Sequence, residues 1–395
     1  MSIALPPPDA DERAHSARLV ALLREEIERQ GPMPFSRFME RCLYAPGLGY
    51  YSAGRTKFGA AGDFVTAPEL GHLFAASLAD AFAPALHAAG NEACFVELGG
   101  GSGAFAENAL RAWMDAGELP ARYRILEPSA DLRERQRERL AAVLPAEVFA
   151  RVDWLERPPE DAWRGVLFAN EVVDALPATR FALRDGEVFE EHVAVVDDAF
   201  VIVDRPADAL VTAAVRHLER DLGESFADGY RSEVLPQLPY WMQAVLGSLE
   251  AGLAVFIDYG YPRRVCYHAQ RSDGTLVCHY RHRAHADALL WPGLQDITAS
   301  VDFTALAEAG NAAGFGVAGY ARQGAFLLAT GLEARFVAAC AQADEVTRYR
   351  LAQEVKRLTL PGEMGERFQL MLFARDLPIE ALPQGLAAID ERRRL

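Results

Sequence analysis

Two acids flank the stretch of this chain best suited to chemistry. Glu97 is the penultimate residue of the run FVEL, and GGGSG follows that run, setting Gly99, Gly101 and Gly103 at alternate positions. The second acid, Glu127, ends the run YRILE, 24 residues after Gly103. Glycine loses more backbone freedom on folding than any other residue, so a loop this rich in it suits a ligand lying against bare main chain. A helix follows the loop, and its first N–H groups and positive end face the same place. A pyrophosphate loop would space its glycines G-x-G-x-x-G, and Glu97 would repel phosphate. An ammonium or sulfonium would be attracted. Glu127, at the end of the next strand, can accept both hydroxyls of a ribose. The plainer readings are a satisfied strand-end carboxylate for Glu97 and a surface charge before Pro128 for Glu127.

Spacing and order together suit S-adenosylmethionine, which carries a ribose, an amino-acid end and a positive sulfur but no phosphate. Its adenine would lie by Asp153 and Trp154, at the end of a third strand. Past a fourth strand, ANEVVDALP brings Asn170, Glu171 and Asp174 within five residues. A guanidinium stays protonated in water, and carboxylates pair with its fork bidentately, so these residues could hold a methyl-accepting arginine. Alternatively, Asp174 caps a turn and Asn170 satisfies a strand end. Upstream, GAAGDFVTAPE offers Gly62, Asp63 and Thr66 as a lid over the cofactor. Thr66 and Glu69 also have the spacing of a capping box opening a helix ELGHLFAASLADAF. Cys278, His279, His282 and His285 in VCHYRHRAH invite a metal reading, but the spacing is tight and Arg281 and Arg283 would oppose a cation. No metal site is expected, and this loop is read as lining the site's rim or contacting a partner. Tyr259, Tyr261 and Tyr267 could wall a substrate channel, or simply pack.

The elements that must position these groups form an α/β pattern. ACFVEL, YRIL, GVLFAN and GLAVFIDYGY are apolar runs at strand length, and residues 104–116 and 130–143 have helical spacing between them. Alternation of this kind predicts a mostly parallel sheet with helices on both faces and ligands beyond the strands' carboxyl ends. Helices are expected over 13–30 and 35–43. Residues 178–203 break the alternation with β-branched runs split at Asp185-Gly186 and Asp197-Asp198, the mark of an inserted hairpin or meander. Residues 207–250 read as mainly helical, 315–328 as two short strands around Gln323-Gly324, and the remainder as helix. The expected division is an N-terminal helical and lid segment over 1–90, a cofactor-binding domain over 91–330 with an insertion near 178–250, and a helical C-terminal extension over 331–395.

With a net charge of −16, the chain lacks the clustered cations that a nucleic-acid backbone demands. Apolar residues make up 51% and charged ones 24%, as in globular proteins. No apolar run reaches the roughly 20 residues that span a bilayer. The opening MSIALPPPDADER shows no secretory pattern, and the five cysteines form no CxxC pair, so a cytoplasmic protein with reduced thiols is expected. The arginine-rich stretches DLRERQRERL and DERRRL read as solvated helical faces.

LYAPGLGYY, KFGAAGDFVTAPE, VELGGGSG, ILEPS, ANEVVDALP, FIDYGY and LQDITASVDF occur in this order over residues 33–330. In this the chain resembles the MidA-like methyltransferases, with weaker likeness beyond, including PGEMGERFQLM. The resemblance implies a class I methyltransferase fold (Rossmann-like, seven strands, mostly parallel), with S-adenosylmethionine as cofactor and S-adenosylhomocysteine as product. Eukaryotic members of that family are mitochondrial assembly factors of respiratory complex I linked to arginine dimethylation, which implies a protein arginine as acceptor and a respiratory-complex or other protein as partner. Methylation of a small molecule or another protein nitrogen, and a cofactor-binding assembly chaperone without turnover, are the alternatives. The family's first loop is nearer to ELGPGRG, so Gly100 and Ser102 depart from it and the role of that arginine is open here.

Overall fold

The computed structural model describes residues 5–53 and 66–395. They form two compact units interleaved along the chain. One is made of residues 1–64, 173–237 and 261–302, the other of 65–172, 238–260 and 303–395. A consecutive three-part division was expected; the chain instead leaves and re-enters each unit.

The second unit is built on a twisted sheet. Seven of its strands are β1 (Cys94–Leu98), β2 (Arg122–Leu126), β3 (Val152–Leu155), β4 (Trp163–Asn170), β5 (Leu249–Tyr261), β6 (Gly316–Arg322) and β7 (Phe368–Arg375). Their spatial order is β3-β2-β1-β4-β5-β7-β6. β1 to β5 pair in parallel, while β7 runs antiparallel to both of its neighbours, β5 and β6. This is the α/β class I methyltransferase fold. The central strands are continuous apolar runs because both faces are covered. β4, for example, buries residues 165–169 in succession.

Helices α1 (Leu73–Ala89), α2 (Ala104–Ala116), α3 (Ala130–Val143) and α4 (Glu345–Thr359) belong to the same unit. Phe105 of α2 stacks on Phe168 with ring centroids 4.4 Å apart, and Phe95 of β1 meets Trp113 at 5.0 Å and Tyr123 at 5.1 Å. The buried Trp113 indole N–H donates to the Ala79 carbonyl at 3.0 Å, so the aromatic core contains no stranded donor there. Near the amino ends of the strands, Gly165 lies between Cys94 and Gly252 in register. A Cβ on Gly165 would overlap the Cys94 carbonyl, and one on Gly252 would overlap the Gly165 carbonyl.

Several local expectations are corrected here. The helix expected from Glu69 breaks at Gly71 into Ala67–Leu70 and α1. Residues 316–322 form one strand and Gln323–Ala329 a helix, where two strands were expected. FQLMLFAR, placed in the helical extension, is β7, and its first six residues are buried in succession, which an amphipathic surface helix does not allow. DLRERQRERL is not a wholly solvated face, because Leu132, Gln136 and Leu140 form a buried stripe at four-residue spacing.

The first unit opens with a helix over Ala10–Gln30, where Asp9 and Glu12 form a reciprocal capping box, followed by Phe35–Tyr44. The irregular stretch at 178–203 is a meander of Thr179–Arg184, Glu187–Val196 and Ala199–Pro206. Its turn residues Asp185, Gly186, Asp197 and Asp198 all have positive φ, the conformation that joins twisted hairpin strands. Met33–Pro34 and Arg231–Val234 complete the five-stranded antiparallel sheet. The latter strand interrupts the helical reading of 207–250. Arg180 and Arg231 meet the carboxylates of Glu191, Glu233 and Asp204 across this sheet. VCHYRHRAH, expected as a loop, is a hairpin of Val277–Tyr280 and Arg283–His285. Among the described residues no single helix is long and apolar enough to cross a membrane.

Candidate functional site

The carboxyl ends of β1 to β4 bring together most of the residues singled out from sequence. Gly99, Gly101 and Gly103 have φ of 66°, 52° and 83°, the left-handed region that favours glycine, which explains their alternate spacing. Gly103 also occupies the N-cap of α2. The Gly99 N–H donates to the Leu126 carbonyl at 2.9 Å, which seats the loop on the end of β2. A Cβ on Gly100 would stand 2.7 Å from Ile125 Cγ2, so close packing against β2 accounts for the glycine that departs from the family's proline.

Glu97 is 4% exposed and accepts the Tyr123 hydroxyl at 2.7 Å. Burial pushes its carboxyl up to about 7; the Tyr123 hydrogen bond pulls it down and the nearby Glu127 charge pushes it up. The Glu127 carboxylate is buried as well. It accepts the Ser129 N–H at 2.9 Å and the Gln136 amide at 3.5 Å. Two buried acids on either side of a main-chain cradle fit a phosphate-free cation and would repel a diphosphate. Trp154 donates its indole N–H to Gln136 Oε1 at 3.0 Å and lies under the Arg137 guanidinium, 4.7 Å from the ring centroid.

Asp153 is the residue before Trp154 on β3. Neighbouring strand residues face opposite ways, and its half-exposed carboxylate meets Arg122, at the amino end of β2, at 3.6 Å. The Trp154 side chain faces Gln136 and the loop instead. Thr66 is buried at the N-cap of Ala67–Leu70 but makes no side-chain cap bond, so the capping-box reading fails. Gly62 and Asp63 lie outside the described residues. Glu69 accepts instead from the Ser102 hydroxyl, and Ser102 accepts from Arg139 Nη1 at 2.9 Å. Where the family loop carries an arginine, this chain has a serine with a guanidinium delivered to it by α3.

At the end of β4, Asn170 Nδ2 donates to Glu171 Oε1 at 3.0 Å. Glu171 has φ of 53°, a left-handed conformation costly for a side chain of its kind. Its N–H donates to the Ile257 carbonyl at 2.9 Å, and the next N–H, of Val172, reaches Asp258 Oδ2 at 3.3 Å. β5 thereby pins a strained turn that carries a partly exposed carboxylate. Asp174 falls in the other unit, where it is 5% exposed and its carbonyl accepts the Ala299 N–H at 3.0 Å. Tyr51, in that unit, donates to Asp296 at 2.8 Å; its phenol is held up by burial first and then by the charges of Asp296 and Asp174.

The remaining candidates pack. Tyr259 meets Phe368 edge-on at 5.6 Å, Tyr261 lies under Arg271, and Tyr267 donates to the Glu233 carbonyl at 2.9 Å. Cys278 is fully buried opposite His285 in the hairpin, and among the described residues no cluster of three metal-ligating side chains occurs. Sequence reasoning missed Gln136, Tyr123 and Arg139. The stripe of Leu132, Gln136 and Leu140 was the available signal for the first.

The S-adenosyl-L-methionine-dependent methyltransferase family matches residues 77–321. A Burkholderia thailandensis protein crystallised with S-adenosyl-homocysteine bound is 41% identical, with a TM-score of 0.90 over 99% of this chain and 100% of that one. The human "Protein arginine methyltransferase NDUFAF7, mitochondrial" is 28% identical over 92% of this chain and 84% of its own length. A Drosophila melanogaster homologue of the same name is 27% identical over 92% and 87%.

Proposed function

Because the chain belongs to this family of S-adenosyl-L-methionine-dependent methyltransferases, we propose that its methyl acceptor is an arginine guanidinium on a protein. The cofactor supplies an electrophilic methyl on a positive sulfur. What this chain supplies is placement: Gly99–Gly103, Glu97, Glu127 and Trp154 would hold the donor, and Glu171 would hold the acceptor. A guanidinium nitrogen would form its bond to the methyl carbon as the C–S bond breaks, releasing the neutral sulfide and giving up one N–H proton to water. Little covalent chemistry falls to the protein, so positioning and charge complementarity provide most of the acceleration.

One observation carries the reading: Glu171, left-handed and clamped by β5, presents a carboxylate oriented by Asn170 at the carboxyl end of β4. Strain of this kind persists where surrounding structure maintains it, and it clusters at working sites. Carboxylates pair bidentately with guanidinium, and relatives bear the name of protein arginine methyltransferases. The test is transfer of labelled methyl from S-adenosylmethionine into cell extract, with the label mapped by mass spectrometry. Label on protein arginine is expected, and Glu171→Gln should lose it while retaining affinity for S-adenosylhomocysteine. Label on a small molecule or another nitrogen, or normal labelling by the variant, overturns the reading.

A further inference from the structure

α3 carries a polar side chain that the reaction itself does not use. Gln136 is completely buried, on the stripe with Leu132 and Leu140. Its Nε2 donates to the Gly101 carbonyl at 2.9 Å and to Glu127 Oε2 at 3.5 Å, and its Oε1 accepts the Trp154 indole N–H at 3.0 Å. An indole nitrogen can only donate, so the amide's orientation is determined: oxygen towards Trp154, both N–H groups towards the loop and the acid. Its stem passes below the loop, 3.5 Å from where a Gly103 Cβ would stand. A single side chain therefore ties the glycine loop after β1, the acid after β2 and the aromatic platform of β3.

We propose that Gln136 is a positioning residue for the cofactor, setting Glu127 and Trp154 in register with the glycine loop before the ligand arrives. The proposal rests on the reading that these three elements hold S-adenosylmethionine. They come from three successive strand ends, and α3 reaches all of them through this one side chain. Pre-organisation of this kind raises affinity by removing ordering that binding would otherwise have to supply. The charged groups around it are Glu127 just after β2, which feels Glu97 of β1, and, on α3 itself, Arg137 over the Trp154 ring, Arg133, which donates to the Glu127 carbonyl at 2.8 Å, and Arg139, which donates to Ser102 of the loop at 2.9 Å.

Two variants of the full chain test this by calorimetry with S-adenosylhomocysteine. Gln136→Met fills the volume but makes none of the three bonds; it should weaken binding by about tenfold or more, with one site per chain retained. Gln136→Glu keeps the acceptor for Trp154 but donates only when protonated. Its Kd relative to wild type should be roughly tenfold or more higher at pH 8 and fall to within a few-fold near pH 5.5, where the single O–H restores one of the amide's two donations. A merely space-filling role would not make that ratio follow pH. The proposal is overturned if the Gln136→Met Kd lies within about twofold of wild type, or if the Gln136→Glu ratio is independent of pH. Should Gln136→Met fail to fold, the pH ratio of Gln136→Glu decides alone. Failure of the wild type to bind would instead count against the cofactor placement.

Discussion

Lowering the pH from 8 to 6 should loosen cofactor binding through Glu97. Its carboxyl is raised to about 7 by burial, despite the Tyr123 hydrogen bond. An ammonium, and more so a sulfonium, is attracted only by the ionised form. About nine-tenths of the free protein carries that form at pH 8 and about one-tenth at pH 6, so the apparent Kd should rise roughly tenfold across this range. The folding term has the opposite sign. A carboxyl raised from 4.5 unfolded to about 7 folded contributes stability that is complete below 4.5 and is lost as pH rises through 7. The whole loss is about 3 kcal/mol, of which roughly 1 kcal/mol falls between pH 6 and pH 8. The free protein should therefore be less stable at pH 8 than at pH 6 on this account, while binding is tighter. Titration calorimetry with S-adenosylhomocysteine at both values, beside urea unfolding of the free chain, measures both. Glu97→Gln should remove both slopes, and Tyr123→Phe should move the midpoint upward. A Kd unchanged between pH 6 and 8, or a slope that survives in Glu97→Gln, would refute the reasoning.

Three further outcomes follow from the packing. Glu354 of α4 accepts the Leu73 N–H at 2.7 Å and the Phe74 N–H at 3.4 Å, capping α1 from another helix. Glu354→Ala should cost about 1–2 kcal/mol in chemical denaturation at pH 7. Because burial raises this acid to about 7 as well, Glu354→Gln should cost much less. Gly165→Ala, whose Cβ would collide with the Cys94 carbonyl at φ of 140°, should leave little soluble protein on expression. Arg231→Met removes one of two guanidinium partners from each of Glu191 and Asp204, which keep Arg180 and Arg184, and should destabilise by roughly 1–2 kcal/mol in urea unfolding, whereas removing an exposed pair such as Arg137 with Glu134 should be almost silent.

The part of the site that sequence revealed is the part made by consecutive residues. The alternate spacing of Gly99, Gly101 and Gly103 matches three positive φ values in one loop, and Glu97, Glu127 and Glu171 stand near the ends of apolar runs. Contacts made across the fold leave no such mark. Gln136 sits among arginines that look solvated until Leu132 and Leu140 are counted with it. Glu354 lies 281 residues from the N–H group it caps. Thr66 shows the reverse failure, since its spacing to Glu69 satisfied a local rule that Ser102 and Arg139 override. β7 was hidden because its continuous apolar run, the five residues LMLFA, has no period of its own, and its neighbours β5 and β6 make it a strand.

The position of β7 in the sheet bears on how the protein is made. Its two partners end at Tyr261 and Arg322, yet Phe368–Arg375 leaves the ribosome after both. Until then, β5 offers an unpaired border of backbone amides and carbonyls, and β6 has no strand to join. A nascent chain in that condition invites edge-to-edge aggregation. A premature stop near residue 330, far from being a mild trimming, would make the exposure permanent.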